Sequence, residues 1–130
     1  MTTVHANNSR EALLRLETMV SLAGLTIQEK SIRHMISTSL DVIIQLARHT
    51  DGTRRLISLG EITGMEGDVI SLQEIFTFER QGVGEEGRVL GSFAATGVRP
   101  RFADRCQIFG VPIPEEVFSP PVVRTRWSMR

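Results

Sequence analysis

The sequence of 130 residues is nearly free of two residue types, cysteine and lysine. Cys106 is the only cysteine, which excludes an internal disulfide framework and a cysteine-based zinc site. Such sparing use of cysteine is typical of a reducing compartment. Lys30 is the only lysine, so arginine supplies nearly all of the positive charge. No lysine other than Lys30 is therefore available for phosphate chemistry.

An excess of charge, a membrane-spanning run and a secretion signal are absent as well. The 15 basic and 15 acidic residues cancel, which argues against a dedicated binder of nucleic acid or membrane surfaces. No apolar run is long enough to span a bilayer, and the first residues lack the basic-then-apolar pattern of a signal peptide. Because 41% of the residues are apolar, the chain should fold around one core. We expect a soluble, cytoplasmic domain.

Common catalytic motifs are also missing from these residues. There is no Walker A loop and no G-x-S-x-G nucleophile elbow, so a serine hydrolase of that type is excluded. Gly82, Gly84 and Gly87 match the spacing of a dinucleotide loop, but Glu85 and Glu86 would repel a phosphate there. The sequence predicts no metal site, because no two of the three histidines, His5, His34 and His49, have the spacing of metal ligands.

The first third of the chain predicts two amphipathic helices. Asn8 is a favourable N-cap with Glu11 three residues further on, and apolar residues follow at helical spacing until Gly24. A second helix is predicted from a cap at Thr26 to about Leu40. Two helices joined by so short a link are expected to pack against a larger element.

The middle of the chain changes to the pattern of strands. Residues 41–48 are nearly continuously apolar and β-branched, which predicts a central strand. Residues 50–53 contain Asp-Gly, the strongest turn signal in the chain, and residues 54–63 should return as an antiparallel partner. A second turn is predicted at 64–68, before further strand as far as Glu79. The pattern as a whole predicts an antiparallel meander.

The last third is predicted to be less regular. Residues 80–91 are rich in glycine and glutamate and predict a loop, after which residues 89–95 could pair briefly as a strand. A short helix should follow residues 99–102 and stop at Gly110. We assign residues 1–118 to one domain and residues 119–130 to a flexible tail.

A candidate site lies at the start of the chain. Residues 2–4 favour a short strand that ends at His5, and a polar turn then leads into the first helix. In open α/β sheets, ligands bind at such strand ends and against helix N-termini. His5, with Asn7 beside it, is therefore a candidate to donate to a phosphate or to polarise a water. A hydrogen-bonded structural histidine is the alternative, and it is our interpretation of His34 and His49.

Charged residues elsewhere give weaker signals. Glu61 and Glu66 flank Gly64, and a solvated turn explains them better than acid–base catalysis. Several arginines are candidates for phosphate or subunit contacts, although a plain surface role is the alternative for each: Arg10, Arg15, Arg33, Arg48, Arg99 and Arg101.

Blocks of residues in a fixed order resemble one protein family. Thr2-Thr3-Val4-His5-Ala6-Asn7, followed by Ala12 and residues 15–19, resembles the histidine box of the type II/IV secretion ATPases. The later blocks are Asp41-Val42-Ile43-Ile44-Gln45, Asp51-Gly52-Thr53-Arg54, residues 61–68 and Gly97-Val98-Arg99-Pro100-Arg101-Phe102. Together they resemble the C-terminal part of the Tad (Flp) pilus assembly ATPase, the CpaF-like branch, over residues 2–118.

The resemblance implies the C-terminal half of a RecA-like P-loop NTPase domain of α/β class, with two N-terminal helices, an antiparallel meander and short C-terminal helices. It implies a hexameric ring that uses ATP and Mg²⁺ to power a pilus or secretion platform at the inner membrane. His5 would then lie near the γ-phosphate, supported by Asn7. Arg99 and Arg101 would be candidates for contacts between subunits.

The resemblance also implies that essential parts of the nucleotide site lie elsewhere. In the family the Walker A loop, the acidic boxes and an N-terminal domain precede the histidine box, and none has a counterpart in these residues. We therefore expect a truncated reading frame, a fragment or a remnant, inactive alone, with no bound cofactor or metal and no nucleic-acid partner. The alternative is a stand-alone interaction module that binds or regulates a related ATPase ring.

Overall fold

The side chain of Asn8 sets the start of the first helix. In the computed structural model, which describes residues 1–121, it accepts a hydrogen bond of 2.8 Å from the backbone N–H of Glu11. Helix α1 (Ser9–Leu22) follows directly. The Glu11 carboxylate reaches back to the N–H of Asn7 at 2.9 Å, one residue before the cap. The predicted cap at Asn8 is confirmed.

The second helix begins later than the sequence predicts. Helix α2 (Glu29–Ser39) has Gln28 as its N-cap residue, without a side-chain cap, so the prediction of a cap at Thr26 is wrong. A tight turn, in which the N–H of Ile27 bonds to the carbonyl of Leu25 at 2.9 Å, precedes the helix. This turn brings Ile27 against the apolar core and thereby delays the helix.

Four strands follow, each joined to the next by a turn: β1 (Val42–Arg48), β2 (Arg54–Glu66), β3 (Val69–Val83) and β4 (Val89–Ala95). They pair antiparallel in the order β1-β2-β3-β4, so the predicted meander is confirmed. The predicted Asp-Gly turn lies between β1 and β2, where Gly52 has a φ of 82°. Within residues 1–121, β1 has a partner on one side alone, so its prediction as a central strand is wrong.

The second predicted turn is shorter than expected because β2 continues through Gly64. A shift in the pairing of β2 with β3 between Ile62 and Gly64 marks a β-bulge there, and Gly64 takes a φ of 123°. Across the strands, the hydroxyl of Thr63 donates to that of Ser71 at 2.9 Å. The strand therefore ends only at Glu66, and the turn comes after it.

The glycine-rich stretch 80–91, predicted to be a loop, is largely paired strand, so that prediction is wrong. β3 runs on to Val83, and β4 begins at Val89. Gly91 is the physical reason, because a Cβ atom there would lie 2.5 Å from Cζ of Phe78. The bare backbone of β4 thus lets the aromatic ring of β3 pack across it.

Side chains from the helices pack against the sheet in two apolar clusters. The larger cluster joins α1 and α2 to β2 and β3: Leu13, Ile32, Ile36, Ile62 and Ile70. Arg33 of α2 strengthens this face, since its guanidinium bonds to Glu17 of α1 at 2.9 Å and to the carbonyl of Asp68 at 3.3 Å. A smaller cluster joins β3 to the C-terminal region: Ile75, Ala103 and Phe118.

The C-terminal region consists of helix α3 (Phe102–Ile108) and a 3-10 turn (Glu115–Phe118). The predicted short helix and its end before Gly110 are confirmed. Most of the predicted tail, residues 122–130, lies outside the described residues. The assignment of 1–118 to one domain stays a prediction.

The described chain is therefore of α/β class, with three α-helices and a four-stranded antiparallel sheet within residues 1–121. Each of the helices found in that part of the chain is too short or too polar to cross a membrane.

Asp51 ties the first turn to the start of β4. Its carboxylate accepts bonds from the Thr53 hydroxyl at 2.6 Å, from the Val89 N–H at 2.8 Å and from the Thr53 N–H at 3.0 Å. These bonds hold the pKa of Asp51 well below its ordinary value, and the bond from the Thr53 hydroxyl has the largest effect. The positive charge of Arg55 lowers the pKa further. The ionised carboxylate is thus part of the folded structure.

Replacing Gly91 with alanine should destabilise the protein. The new Cβ would meet both the Phe78 ring and the carbonyl oxygen of Glu79, and such overpacking costs about 1–3 kcal/mol. Gly84→Ala is the matched control, because there the Cβ meets only the flexible end of Leu90 at 3.1 Å. Urea unfolding measures both variants; equal stability of Gly91→Ala and the parent protein would contradict the packing described.

Asp51 should make stability depend on pH in the acid range. A carboxyl group whose pKa is lower in the folded state stabilises that state at pH values above its unfolded pKa, near 3.8. That stabilisation is lost as the pH falls below this value. Asp51→Asn should therefore be less stable than the parent at pH 7, and the difference should shrink between pH 4 and pH 2. A difference in unfolding free energy that stays constant over this range would contradict the role of the charge.

Candidate functional site

The residues before α1 are extended but form no strand. The prediction of a strand at residues 2–4 is wrong, because no backbone hydrogen bond joins this segment to a neighbour within the described structure. Side-chain contacts hold it instead, and one of them comes from β1: the amide of Gln45 donates to the carbonyl of Ala6 at 2.9 Å. The segment and β1 face each other across a groove of about 320 Å³.

His5 is exposed at the end of this segment. Its carbonyl accepts a hydrogen bond of 2.6 Å from the guanidinium of Arg15, one of the predicted anion-binding arginines. That bond links the backbone of His5 to α1 and leaves the imidazole in solvent. No hydrogen bond of the imidazole occurs within residues 1–121, so His5 is not the buried, hydrogen-bonded histidine of the structural alternative.

Asn7 does not support His5 directly. Its side-chain amide donates to the Glu11 carboxylate at 3.3 Å, and its backbone N–H donates to the same carboxylate at 2.9 Å. The backbone N–H of Asn7, just before α1, is therefore already bonded to the Glu11 carboxylate and is not free to bind an anion. Asn7 helps to shape the turn after His5.

The single lysine is already paired. Lys30 bonds to Asp68 at 2.8 Å, an interaction that raises the pKa of Lys30 and lowers that of Asp68. It lies on the rim of a separate groove of about 400 Å³ that His34, Met35 and Met65 also line. It therefore offers no free ammonium group beside His5.

Within residues 1–121, no three His, Cys, Asp or Glu side chains converge in a way that could hold a metal ion. The exposed imidazole of His5 can donate to an anion or accept a proton.

Arg99 and Arg101, the candidate subunit contacts, make bonds within the chain. Arg99 pairs with Asp104 at 2.9 Å and with Glu115 at 3.5 Å, and the Asp104 bond raises the pKa of Arg99. The guanidinium of Arg101 donates to the carbonyl of Thr63 at 2.8 Å. These bonds fasten the C-terminal region to itself and to β2.

Of the remaining candidate arginines, Arg10 and Arg33 also bond within the chain, whereas Arg48 is exposed. Arg10 donates to the carbonyl of Ile70 at 2.5 Å, and Arg33 holds α2 to α1. Arg48 is exposed at the end of β1, opposite Arg54 across the strand pair. The structure does not bring these arginines together around His5.

Glu61 is a structural centre that the sequence interpretation missed. It is only 4% exposed, so its interpretation as part of a solvated turn is wrong. Its carboxylate accepts bonds from the N–H groups of Arg101 at 2.9 Å and Phe102 at 2.8 Å, and from the amide of Gln73 at 2.9 Å. A buried charge is stable only with such partners, and here it caps α3 and docks it on the sheet. The only hint in the sequence is a glutamate in the middle of a long strand.

Comparison of the chain with models of protein families and with curated proteins gave no match.

Removal of the Glu61 charge should loosen α3. Glutamine at position 61 turns one acceptor into a donor that faces a backbone N–H, and leaving such a buried group unsatisfied costs about 1–3 kcal/mol. Glu61→Gln should therefore lower the free energy of unfolding by that amount and speed hydrogen exchange at the amides of Arg101 and Phe102. Glu66→Gln, at an exposed residue of the same strand, is the control and should change neither. Unchanged exchange at both amides in Glu61→Gln would contradict the capping role.

Proposed function

We propose that this chain is the C-terminal part of the nucleotide-binding domain of a motor ATPase that powers Tad (Flp) pilus assembly or type II/IV secretion. The domain would have a RecA-like origin, and the motor would be a hexameric ring on the cytoplasmic side of an inner-membrane platform. ATP and Mg²⁺ would bind only when the phosphate-binding part of the domain is joined to this one.

The order of the resembling residue blocks is the first support. Two of these blocks contain the long-range bonds that organise the fold. Asp51, in the Asp-Gly turn, bonds to Val89, and Glu61 bonds to the backbone of Arg101 and Phe102 in the last block. Residues in separate blocks are thus joined in one structure, as expected if the blocks belong to one functional unit.

The observation that carries the proposal is the state of His5. Its imidazole is exposed, its backbone is anchored by Arg15 at 2.6 Å, and it lies at the mouth of the groove beside β1. A histidine held in place without a partner for its ring suits a site that a second element completes. In the family that the blocks resemble, this histidine is the one near the γ-phosphate.

The chain alone should not hydrolyse ATP. Phosphoryl transfer depends on cationic and metal groups that position the phosphates and stabilise their charge. The sequence has no Walker A loop, and its only lysine is paired with Asp68. The proposed activity therefore belongs to the assembled domain, in which this chain contributes His5.

A second candidate function is a stand-alone module that binds and regulates a related ATPase ring. The unpaired edge of β1, with large apolar side chains beside it, favours binding to another protein. In that case a full-length ATPase should form a stable complex with the chain, and the complex should not need His5 for ATP turnover. The coding sequence upstream of this one separates the two candidates, because only the motor fragment requires a Walker A loop there.

The proposal predicts that ATP turnover appears on reconstitution. The chain would be mixed with a separately purified nucleotide-binding half of a Tad pilus ATPase that contains the Walker A and acidic boxes and ends before the histidine box. We expect no phosphate release from either part alone and a rate at least tenfold above background from the mixture. His5→Ala should abolish that gain, because the γ-phosphate would lose its histidine.

The matched control is His34→Ala, which changes an exposed histidine on α2 away from the groove. It should leave the turnover of the mixture unchanged. Turnover by the isolated chain that disappears in His5→Ala would overturn the proposal, and so would a mixture that binds tightly but gains no activity.

A further inference from the structure

Half of the backbone groups of β1 point to an open edge. The carbonyl of Asp41 accepts from the N–H of Ile62 at 2.8 Å, and the N–H of His49 donates to the carbonyl of Thr53 at 2.8 Å. Odd-numbered residues of this strand therefore direct their backbone groups toward β2. The N–H and C=O groups of the even-numbered residues Val42, Ile44 and Leu46 point away from β2, where the described chain supplies no strand.

The side chains of the same residues are apolar and uncovered. Ile44 is 61% exposed and Leu46 is 65% exposed, whereas their neighbours Ile43 and Gln45 are half-buried. Ile43 packs against the apolar cluster that α1 and α2 form with the sheet. Together with Val42, these exposed side chains present on the order of 300 Å² of apolar surface, about the size of the largest patch on a typical monomer, which is often functional. Edge strands of monomers usually carry charges on this edge, and β1 has none between Val42 and Leu46. The pairing of β1 with β2 shifts between Gln45 and Leu46, but the extra residue there, Ile57, belongs to β2 and not to the open edge.

A second extended segment lies on the far side of the groove. Residues 2–4 are β-branched and extended, yet the only hydrogen bond that links residues 1–6 with β1 in the described structure is the one from Gln45 to Ala6. The groove between them, about 320 Å³, is also lined by Ala12, Leu16 and Leu40. Two extended segments with strand-forming residues thus flank a gap with an apolar floor.

We propose that a single apolar β-strand from another polypeptide segment binds in this groove and pairs with β1 along its open edge. The assignment of that strand to the nucleotide-binding part of a secretion ATPase rests on the proposed function, whereas the pairing itself rests on the edge and the groove. The strand contacts α1 on one face and Ile44 and Leu46 on the other, so its residues are apolar on both faces.

A second copy of the chain is a poorer occupant. Its own residues 1–6 flank the same edge, so two whole β1 edges cannot meet unless both segments move away.

A fluorescent peptide tests the pairing without any nucleotide chemistry. The probe has a core of five valine and isoleucine residues with lysines at both ends, and it is titrated into the full chain. We expect saturable binding and at least tenfold slower hydrogen exchange at the amides of Val42, Ile44 and Leu46. The amides of β4, the other edge strand, serve as the internal control and should not change.

Two variants locate the bound strand. Ile44→Pro removes an N–H that points to the open edge and not to β2, so the fold should persist while peptide affinity falls at least tenfold. Leu46→Lys places a charge on the exposed face and should weaken binding as strongly without involving the backbone. Ile44→Val keeps a β-branched apolar residue and should bind like the parent.

Three results would overturn the proposal: no binding by the parent chain, equal protection of β4, or a dimer in which the β1 amides are protected without peptide. The test is separate from that of the proposed function, because the peptide contains no nucleotide site. Peptide binding at β1, together with failed reconstitution of ATP turnover, would retain the strand site and overturn the motor assignment. Restored turnover without protection of β1 would do the reverse.

Discussion

The backbone hydrogen bond is the constraint on which this structure depends. β2 and β3 satisfy their backbone groups on both sides, and this pair of long strands supports everything else. α1 and α2 cover one face and α3 docks on the structure through Glu61. β1 satisfies only half of its backbone groups within the described residues, and the extended residues 1–6 satisfy fewer still. The proposed strand site follows from that difference between the centre of the sheet and its edge.

Two buried carboxylates connect parts of the chain that lie far apart in sequence. The side chain of Asp51 is 6% exposed and joins the first turn to β4, and Glu61 joins β2 to α3. Each accepts bonds from backbone N–H groups, which would otherwise lack partners at the start of an element. Their geometry indicates that both carboxylates maintain the fold, whereas His5 is exposed and is the residue to which the proposed function assigns a role.

Local signals in the sequence predicted the elements well, and long-range packing accounts for the errors. The cap at Asn8 and the Asp-Gly turn at Gly52 depend on neighbouring residues alone, so they could be predicted. A continuous apolar run such as that of β1 is typical of a central strand, and the sequence alone does not show that β1 lies at the edge of the sheet. Gly91 is predicted to lie in a loop because glycine is common in loops, and its packing against the ring of Phe78 is visible only in the folded structure. Glu61 could not be recognised because its partners lie about 40 residues further along the chain.

The central claim is that His5 forms part of a nucleotide site shared with a second polypeptide segment. Hydrogen exchange at the amides of residues 5–8 measures this most directly, in the chain alone, with the nucleotide-binding half, and with that half plus Mg²⁺ and a non-hydrolysable ATP analogue. The account predicts that these amides become protected only when the second half and the nucleotide are both present. Equal exchange rates in all three states would contradict it.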